Sequence, residues 1–273
     1  MIRNVLSIAG SDPSGGAGIQ ADLKAFAARG VYGMAALTAL TAQNTKGVSG
    51  VHLVPAAFIG DQIKAVFADV RVDAVKIGMI ANAEIADAVA TVLRSHRDIP
   101  IVLDPVMVAK GGANLLDPEA IDVLTRRLLP LATLLTPNLP EAAALLQVQP
   151  AESRAEMADQ AQKLRALGSA AVLVKGGHLA GPESPDVLAS ADGLSWFEAA
   201  RVPTANTHGT GCTLSSALAA ELAKGATLVQ AIATAKAYLA VAVAKADTLD
   251  VGTGHGPVQH FHELWQTKEG YSK

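Results

Sequence analysis

Cysteine is almost missing from this chain: among 273 residues only Cys212 carries a thiol. A single cysteine forms no intramolecular disulfide. With no apolar signal segment at the start, that predicts a protein of the reducing cytoplasm. Aromatic residues are scarce at 4%, no basic run occurs, and the formal net charge is −3. Nucleic-acid partners need basic grooves and stacking platforms, so this composition argues against them. Small anionic ligands stay open, because a local site can oppose the net charge. No run of 18 apolar residues exists, so no membrane span is expected. Half of the residues are apolar and only 17% are charged, which excludes general disorder. A chain of this length can bury about three quarters of its unfolded surface.

What is present is alternation. Short apolar runs at 4–9, 34–40, 74–77, 100–103, 132–135 and 170–174 read as strands. Amphipathic segments at 18–29, 58–68, 83–94, 117–128, 140–147 and 152–167 read as helices. Two long helices are expected at 211–224 and 227–246, and a last one at 256–266. Residues 186–198 suggest a hairpin turning at Asp192-Gly193. Apolar strands alternating with helices predict an α/β fold, with a mainly parallel central sheet and helices on both faces. No low-complexity linker or repeat interrupts the sequence, so 1–273 reads as one domain.

In such sheets ligands sit beyond the carboxyl ends of the strands. The polar residues fall there repeatedly: Gly10-Ser11-Asp12, Thr41-Ala42-Gln43-Asn44, Gly78-Met79, Asp104-Pro105, Thr136-Pro137-Asn138 and Lys175-Gly176-Gly177-His178. Together they predict one site along one edge of the sheet.

Two nucleotide motifs fail. Gly16-Ala17-Gly18-Ile19-Gln20-Ala21 matches the dinucleotide pattern, but Gly10 to Gly15 separate it from the strand where a tight turn is needed. No Asp or Glu lies between Asp22 and Asp61, although one is required about 20 positions on. A P-loop needs Gly-Lys, a dipeptide that the chain lacks. A cysteine phosphatase would want arginine at position 218, which is Leu218.

The segment His208-Gly209-Thr210-Gly211-Cys212 is a glycine turn opening a helix. A helix start offers unpaired N–H groups and a partial positive charge, where anions bind. It also lowers a thiol's pKa from the usual value of about 8.5. Gly209, Thr210, Gly211 and Cys212 therefore suggest chemistry on a phosphate. An ordinary glycine cap beside a buried cysteine is the plain alternative.

Nearly end to end, the chain resembles the ribokinase-like superfamily and, within it, the hydroxymethylpyrimidine/phosphomethylpyrimidine kinases of thiamine biosynthesis. The resemblance rests on Ala9–Asp22, Thr38–Thr45, Val75-Lys76-Ile77-Gly78-Met79, Leu103–Met107, Thr136–Glu141, Val174–His178 and 207–216. Most of the superfamily carries Asp where this chain has Cys212. The resemblance implies two successive transfers, to a primary alcohol and then to the resulting monophosphate, with ATP as co-substrate, and a homodimer. Met34–Gln43 and the region after it are candidate interface segments.

Each residue keeps its own physical reading. Gly209–Cys212 would present N–H groups to the transferring phosphoryl group. Cys212 is the candidate base, with passive packing as its alternative. Asp104 and Glu141 suit Mg²⁺, which takes one or two carboxylates plus phosphate and water. Asn138 and Glu141 match the superfamily's Asn-x-x-Glu, and Glu141 equally suits a helix dipole. Lys175 can reach a nucleotide phosphate, or be a solvated surface lysine. Thr207 and His208 border the same loop. Asp22, Gln43, Gly10 and Met79 form the expected acceptor pocket: Gln43 can pair with an aminopyrimidine edge, and Met79 can wall the ring. Gln43 as a plain loop residue and Asp22 as a dipole-complementing residue are the alternatives. Adenine is expected near Ala240 or Val243. A pyridoxine/pyridoxal kinase is the rival enzyme, and a non-catalytic pyrimidine binder the rival of another class.

Overall fold

The computed structural model describes residues 1–107, 116 and 118–265. One nine-stranded sheet runs in the order β3-β2-β1-β4-β5-β6-β7-β8-β9. Its centre is β1 (Asn4–Ser11), β4 (Ala74–Ile77), β5 (Ile101–Leu103), β6 (Leu134–Leu135) and β7 (Val172–Lys175), all parallel, with β2 (Tyr32–Asn44) parallel to β1 on the other side. The edges are antiparallel: β3 (Gly47–Leu53) on β2, and the hairpin β8 (Asp186–Ser190) and β9 (Gly193–Phe197) on β7. The chain leaves β1 for β2 on one side and enters β4 on the other. That reversal opens a crevice at the carboxyl ends of β1 and β4.

Strand periodicity sorts the two faces. Leu6, Ile8, Val75 and Ile77 point to the core shared with α2 (Ala56–Asp69), α3 (Ala83–Leu93), α5 (Leu139–Leu146) and α6 (Arg154–Ala166). Val5, Ala74 and Val102 point to the core shared with α1 (Gly18–Ala28), α7 (Thr210–Ala223) and α8 (Leu228–Ala244). Ser7 and Lys76 lie on this second face and are register partners on neighbouring strands. Lys76 is fully buried and donates to both oxygens of the buried Asp22 of α1 at 2.9 Å. Ser7 and Ser216 of α7 donate to the same carboxylate at 2.6 and 2.7 Å. One ion pair thus ties β1, β4, α1 and α7 together.

Three expectations are corrected. The strand expected at 34–40 continues to Asn44 and folds back as β3, through a register shift at Ala42/Gln43. None of residues 41–53 is buried, so the Thr-Ala-Gln-Asn stretch carries little apolar signal. The helix expected at 117–128 is α4 (Pro118–Val123) followed by a wider π turn over Leu124–Leu128 and a 3-10 turn over Leu129–Leu131. Pro130 has no N–H and its ring crowds the preceding turn, which ends regular helix there. Asp117, the first residue of that expected helix, lies outside the described residues. The tail at 256–265 forms turns, not a helix: Pro257 bridges to His208 and Gln259 N–H donates to Ala242 O of α8. Gln266 lies outside the described residues. Among the described residues no helix is long and apolar enough to cross a membrane.

Removing one partner of a buried ion pair leaves an uncompensated charge and costs about 3–5 kcal/mol. Lys76→Met is expected to destabilise the fold by that much in urea unfolding, and adding Asp22→Asn to recover most of it. A K76M midpoint equal to wild type would sink the assignment of this pair as the anchor.

Candidate active site

A cleft of about 590 Å³ lies beyond the carboxyl ends of the strands. Its walls come from Gly10–Asp12 at the end of β1, Thr41 and Gln43 on β2, Met79 after β4 and Asp104 after β5. Asn138, Pro140 and Glu141 follow β6, Lys175 ends β7, and Thr207 to Cys212 lead into α7.

Gly209 sits at φ +77° as the N-cap of α7, and no side chain caps that helix. A Cβ at Gly209 would collide with the Gly16 carbonyl oxygen, and a Cβ at Gly16 with the His208 ring. The β1–α1 loop and the turn therefore touch backbone to backbone. Gly211 lies against Lys175 and Asp104: a Cβ there would stand 3.4 Å from Lys175 Nζ and 3.5 Å from Asp104 Oδ2. The open helix end thus faces both charges.

Cys212 lies half-buried in the cleft. Burial pushes its thiol up to about 11, and the charges of Asp22 and Asp104 add to that. The Lys76 ammonium and a hydrogen bond from Gly18 N–H oppose the shift without reversing it. The expected lowering by the helix start is corrected: burial and two carboxylates outweigh one helix end.

Lys175 Nζ stands 2.8 Å from Asp104 Oδ1 and 4.0 Å from Glu141 Oε2, and its side chain is only 14% exposed. It is no solvated surface lysine. Burial alone would raise Asp104, but Lys175 and Lys76 hold it low. Glu141 goes the other way, to about 7, through burial and the Asp104 charge, with Lys175 and backbone N–H groups offsetting part. Asn138 and Glu141 also form a capping box on α5: Asn138 N–H donates to Glu141 Oε2 at 2.7 Å, and Glu141 N–H to Asn138 Oδ1 at 2.9 Å. The helix-end and cleft readings of Glu141 therefore coexist.

On the opposite wall, a Cβ at Gly10 would stand 3.0 Å from Met79 Sδ, so glycine leaves room for the sulfur. Thr38 Oγ1 donates to the Met79 carbonyl at 2.7 Å and fixes its backbone. Two expected residues do not line the cleft. Asp22 is sealed beneath the floor by Lys76, Ser7 and Ser216, so it is not part of the acceptor pocket. Val243 is half-buried on α8, away from the cleft lining, and the adenine expectation loses that contact.

Three residues gained weight only from the structure. Asp12, held down at about 2, accepts from the N–H groups of Ser14, Gly16 and Ala17 and from His208. Burial alone would raise it; the imidazole, the Ser14 hydroxyl and the Ala17 N–H win. Its signal was the turn sequence Asp-Pro-Ser-Gly-Gly. His208 links that loop to the α7 turn. Lys76 was legible as the one charge in an otherwise apolar strand.

A sequence model described as phosphomethylpyrimidine kinase matches residues 12–259. The chain belongs to the phosphomethylpyrimidine kinase family. It is 54% identical over 262 residues to a hydroxymethylpyrimidine/phosphomethylpyrimidine kinase of Salmonella typhimurium, covering 96% of this chain and 98% of that one. It is 52% identical over 257 residues to a thiamine biosynthesis bifunctional protein ThiED of Geobacter sulfurreducens, covering 94% of this chain and 52% of that one. Among solved structures, an ADP complex of Bacillus subtilis pyridoxal kinase superposes with a TM-score of 0.88 at 37% identity, covering 95% and 98% of the two chains. The expected fold class holds: a mainly parallel sheet between helices, ribokinase-like. From Asp12 to Cys212, the cleft residues fall inside the stretch matched to the kinase family; Ala9, Gly10 and Ser11 precede it.

The raised thiol is directly measurable. Alkylation of Cys212 by iodoacetamide in the ligand-free protein should speed up with a midpoint near pH 11, well above a free thiol's value of about 8.5. A midpoint at or below 8.5 would contradict it.

Proposed function

We infer that the chain uses ATP to phosphorylate 4-amino-5-hydroxymethyl-2-methylpyrimidine on its hydroxymethyl group, then the monophosphate to the diphosphate, for thiamine biosynthesis. The observation that carries this is the near full-length 54% identity to a kinase of that name, joined to a cleft with an open helix end. The span 1–273 would work as one kinase domain.

In each transfer the acceptor oxygen forms a bond to the γ-phosphorus, the bond to the ADP oxygen breaks, and ADP leaves. The N–H groups of Gly209, Thr210, Gly211 and Cys212 hold the phosphoryl oxygens, that of Thr210 after giving up its long 3.4 Å bond to Thr207 O. Removing one donor from such a hole costs roughly 2.7–4 kcal/mol of barrier. Lys175, now neutralising Asp104, can exchange that partner for a nucleotide phosphate, with Asn138 and Thr207 beside it. Gln43, Met79 and Gly10 hold the pyrimidine.

The carboxylates fit a Mg²⁺ ion. Asp104 and Glu141 lie on either side of one ammonium, and among the described residues no group of three or more His, Cys, Asp or Glu makes a closed cage. One or two carboxylates, completed by phosphate oxygens and water, is what Mg²⁺ takes. When bound, the ion would supply positive charge to the phosphate oxygens.

Cys212 takes the hydroxyl proton in the first transfer only as its thiolate. A thiol titrating near 11 keeps that form scarce at neutral pH, and the Lys76 charge sustains what there is. The second acceptor, a phosphate monoester with a second pKa of about 6, is already ionised. Single-turnover rates with the pyrimidine, its monophosphate and pyridoxine should show the pyrimidine favoured over pyridoxine. Cys212→Ala should slow the first transfer far more than the second, and above about pH 8, where the monoester is fully ionised, the first alone should rise with pH in the wild type. Equal losses in C212A would rule out the base role. The likeness to pyridoxal kinase is what favours a second reading, and a higher kcat/KM on pyridoxine than on the pyrimidine would establish it.

A homodimer is part of the proposal. Leu40, Val51, Leu53 and Phe58 are exposed on or beside the β2–β3 ribbon. Val51 and Leu53 share one face of this ribbon and Leu40 lies on the other; exposed apolar groups on an edge suit burial against a second copy. Sedimentation should give a mass near twice 27.9 kDa, and a species at 27.9 kDa would refute it.

A further inference from the structure

Asp12, His208 and Gln43 meet where the acceptor wall joins the α7 turn. Asp12 is 2% and His208 7% exposed. Asp12 Oδ2 lies 2.8 Å from His208 Nε2 and also accepts from Gly16 and Ala17 N–H, while Oδ1 accepts from Ser14 N–H and Oγ. The same His208 Nε2 stands 3.3 Å from one amide atom of Gln43. The other amide atom stands 3.2 Å from Thr41 Oγ1. Thr41 Oγ1 in turn donates to the Ser11 carbonyl at 2.8 Å.

These contacts admit one consistent pattern. An ionised carboxylate only accepts, so the imidazole nitrogen facing Asp12 carries a proton. An amide NH₂ facing that nitrogen would set donor against donor. Amide oxygen and nitrogen are told apart by their hydrogen bonds; the oxygen belongs on the imidazole, whose one Nε2 proton is shared, closely with Asp12 at 2.8 Å and weakly with the Gln43 amide at 3.3 Å. The amide nitrogen then faces Thr41 Oγ1, whose single proton is committed to Ser11, so that hydroxyl accepts. One amide N–H remains uncommitted on a residue that lines the cleft.

We propose that Asp12 and His208 are positioning residues that lock the Gln43 amide in this sense and thereby set which heteroaromatic acceptor is chosen. The locked amide offers one N–H to an accepting ring atom. One lone pair of its oxygen stays available to an adjacent amine. An aminopyrimidine edge satisfies both. A pyridine bearing a ring hydroxyl satisfies only part. Without the lock the amide can turn over and serve either ring. The dyad is rigid because Asp12 is bound by three backbone N–H groups, and because Gly16 and Gly209 interlock beside it.

The inference rests on the acceptor named under the proposed function, so wild type is measured first with the pyrimidine and with pyridoxine. His208→Leu should lower the ratio of kcat/KM for pyrimidine over pyridoxine about tenfold or more. KM for ATP should stay within about twofold, as expected for a lost acceptor hydrogen bond. His208→Gln, which keeps an N–H toward Asp12, should restore most of the ratio. Thr41→Val, which frees the other end of the amide without touching the dyad, should lower the ratio too and serves if H208L does not fold. A purely structural role for His208 would depress both acceptors equally, and an unchanged ratio in H208L or, if that fails to fold, in T41V overturns the inference alone. A wild-type protein that phosphorylates neither acceptor overturns the proposed function and this inference together.

Discussion

The buried pair of Lys76 and Asp22 is the constraint on which the site depends. Two charges removed from water are costly, and only good geometry with further hydrogen bonds offsets that. Asp22 has both: two contacts at 2.9 Å from the ammonium, and hydroxyls from Ser7 and Ser216. The four elements so joined deliver the cleft. The chain runs from β1 into Gly10–Asp12 and from β4 into Met79. The N-termini of α1 and α7 bring Gly18 and Gly209–Cys212. Even Gly78 belongs to this arrangement, since a Cβ there would stand 2.7 Å from Lys76 Nζ.

Charge balance on the cleft floor depends on the same pair. Lys76 and Asp22 cancel, and Lys175 and Asp104 cancel across 2.8 Å. Burial first, and then the charges of Asp22 and Asp104, disfavour a Cys212 thiolate more than Lys76 favours it, so the thiol is driven up to about 11. Glu141 at about 7 is the other group that cannot easily add negative charge. Around Lys175 the ligand-free cleft therefore carries a matched ion pair and a carboxyl group that resists ionisation. Oriented N–H groups at the α7 start supply the attraction, and they need no reorganisation to do so.

What was legible in the sequence was whatever depended on local pattern. The apolar runs of β4 to β6 read directly, because a strand buried on both faces has no polar alternation. Asp104, Lys175 and the Asn138/Glu141 pair were legible because they close such runs. The β2–β3 ribbon was not: beyond Leu40 none of its residues is buried, and Thr41-Ala42-Gln43-Asn44 carries no apolar run. Asp22 was misplaced because an acidic residue on a helix looks the same in sequence whether it faces solvent or a buried lysine. The needed clue stood 54 residues later, in the lone charge of Ala-Val-Lys-Ile. The pKa of Cys212 was beyond any local reading, since Asp22 and Asp104 reach it only through the fold.

The excluded dinucleotide motif now has a structural reason. In that motif a tight turn leaves the first helix N-terminus open to a pyrophosphate. Here the longer β1–α1 loop is drawn around Asp12, and Gly18 N–H at the α1 start is given to the Cys212 sulfur. The first helix end is thereby occupied by protein. The open helix end is that of α7, where Gly209 allows the chain to pass against Gly16 and no side chain caps the turn. The same loop that disqualifies α1 as a phosphate site builds the wall that holds His208 beside α7. Under the proposed function, moving the anion site from the first helix to the seventh is what would bring the transferring phosphate next to the residues expected to hold the acceptor.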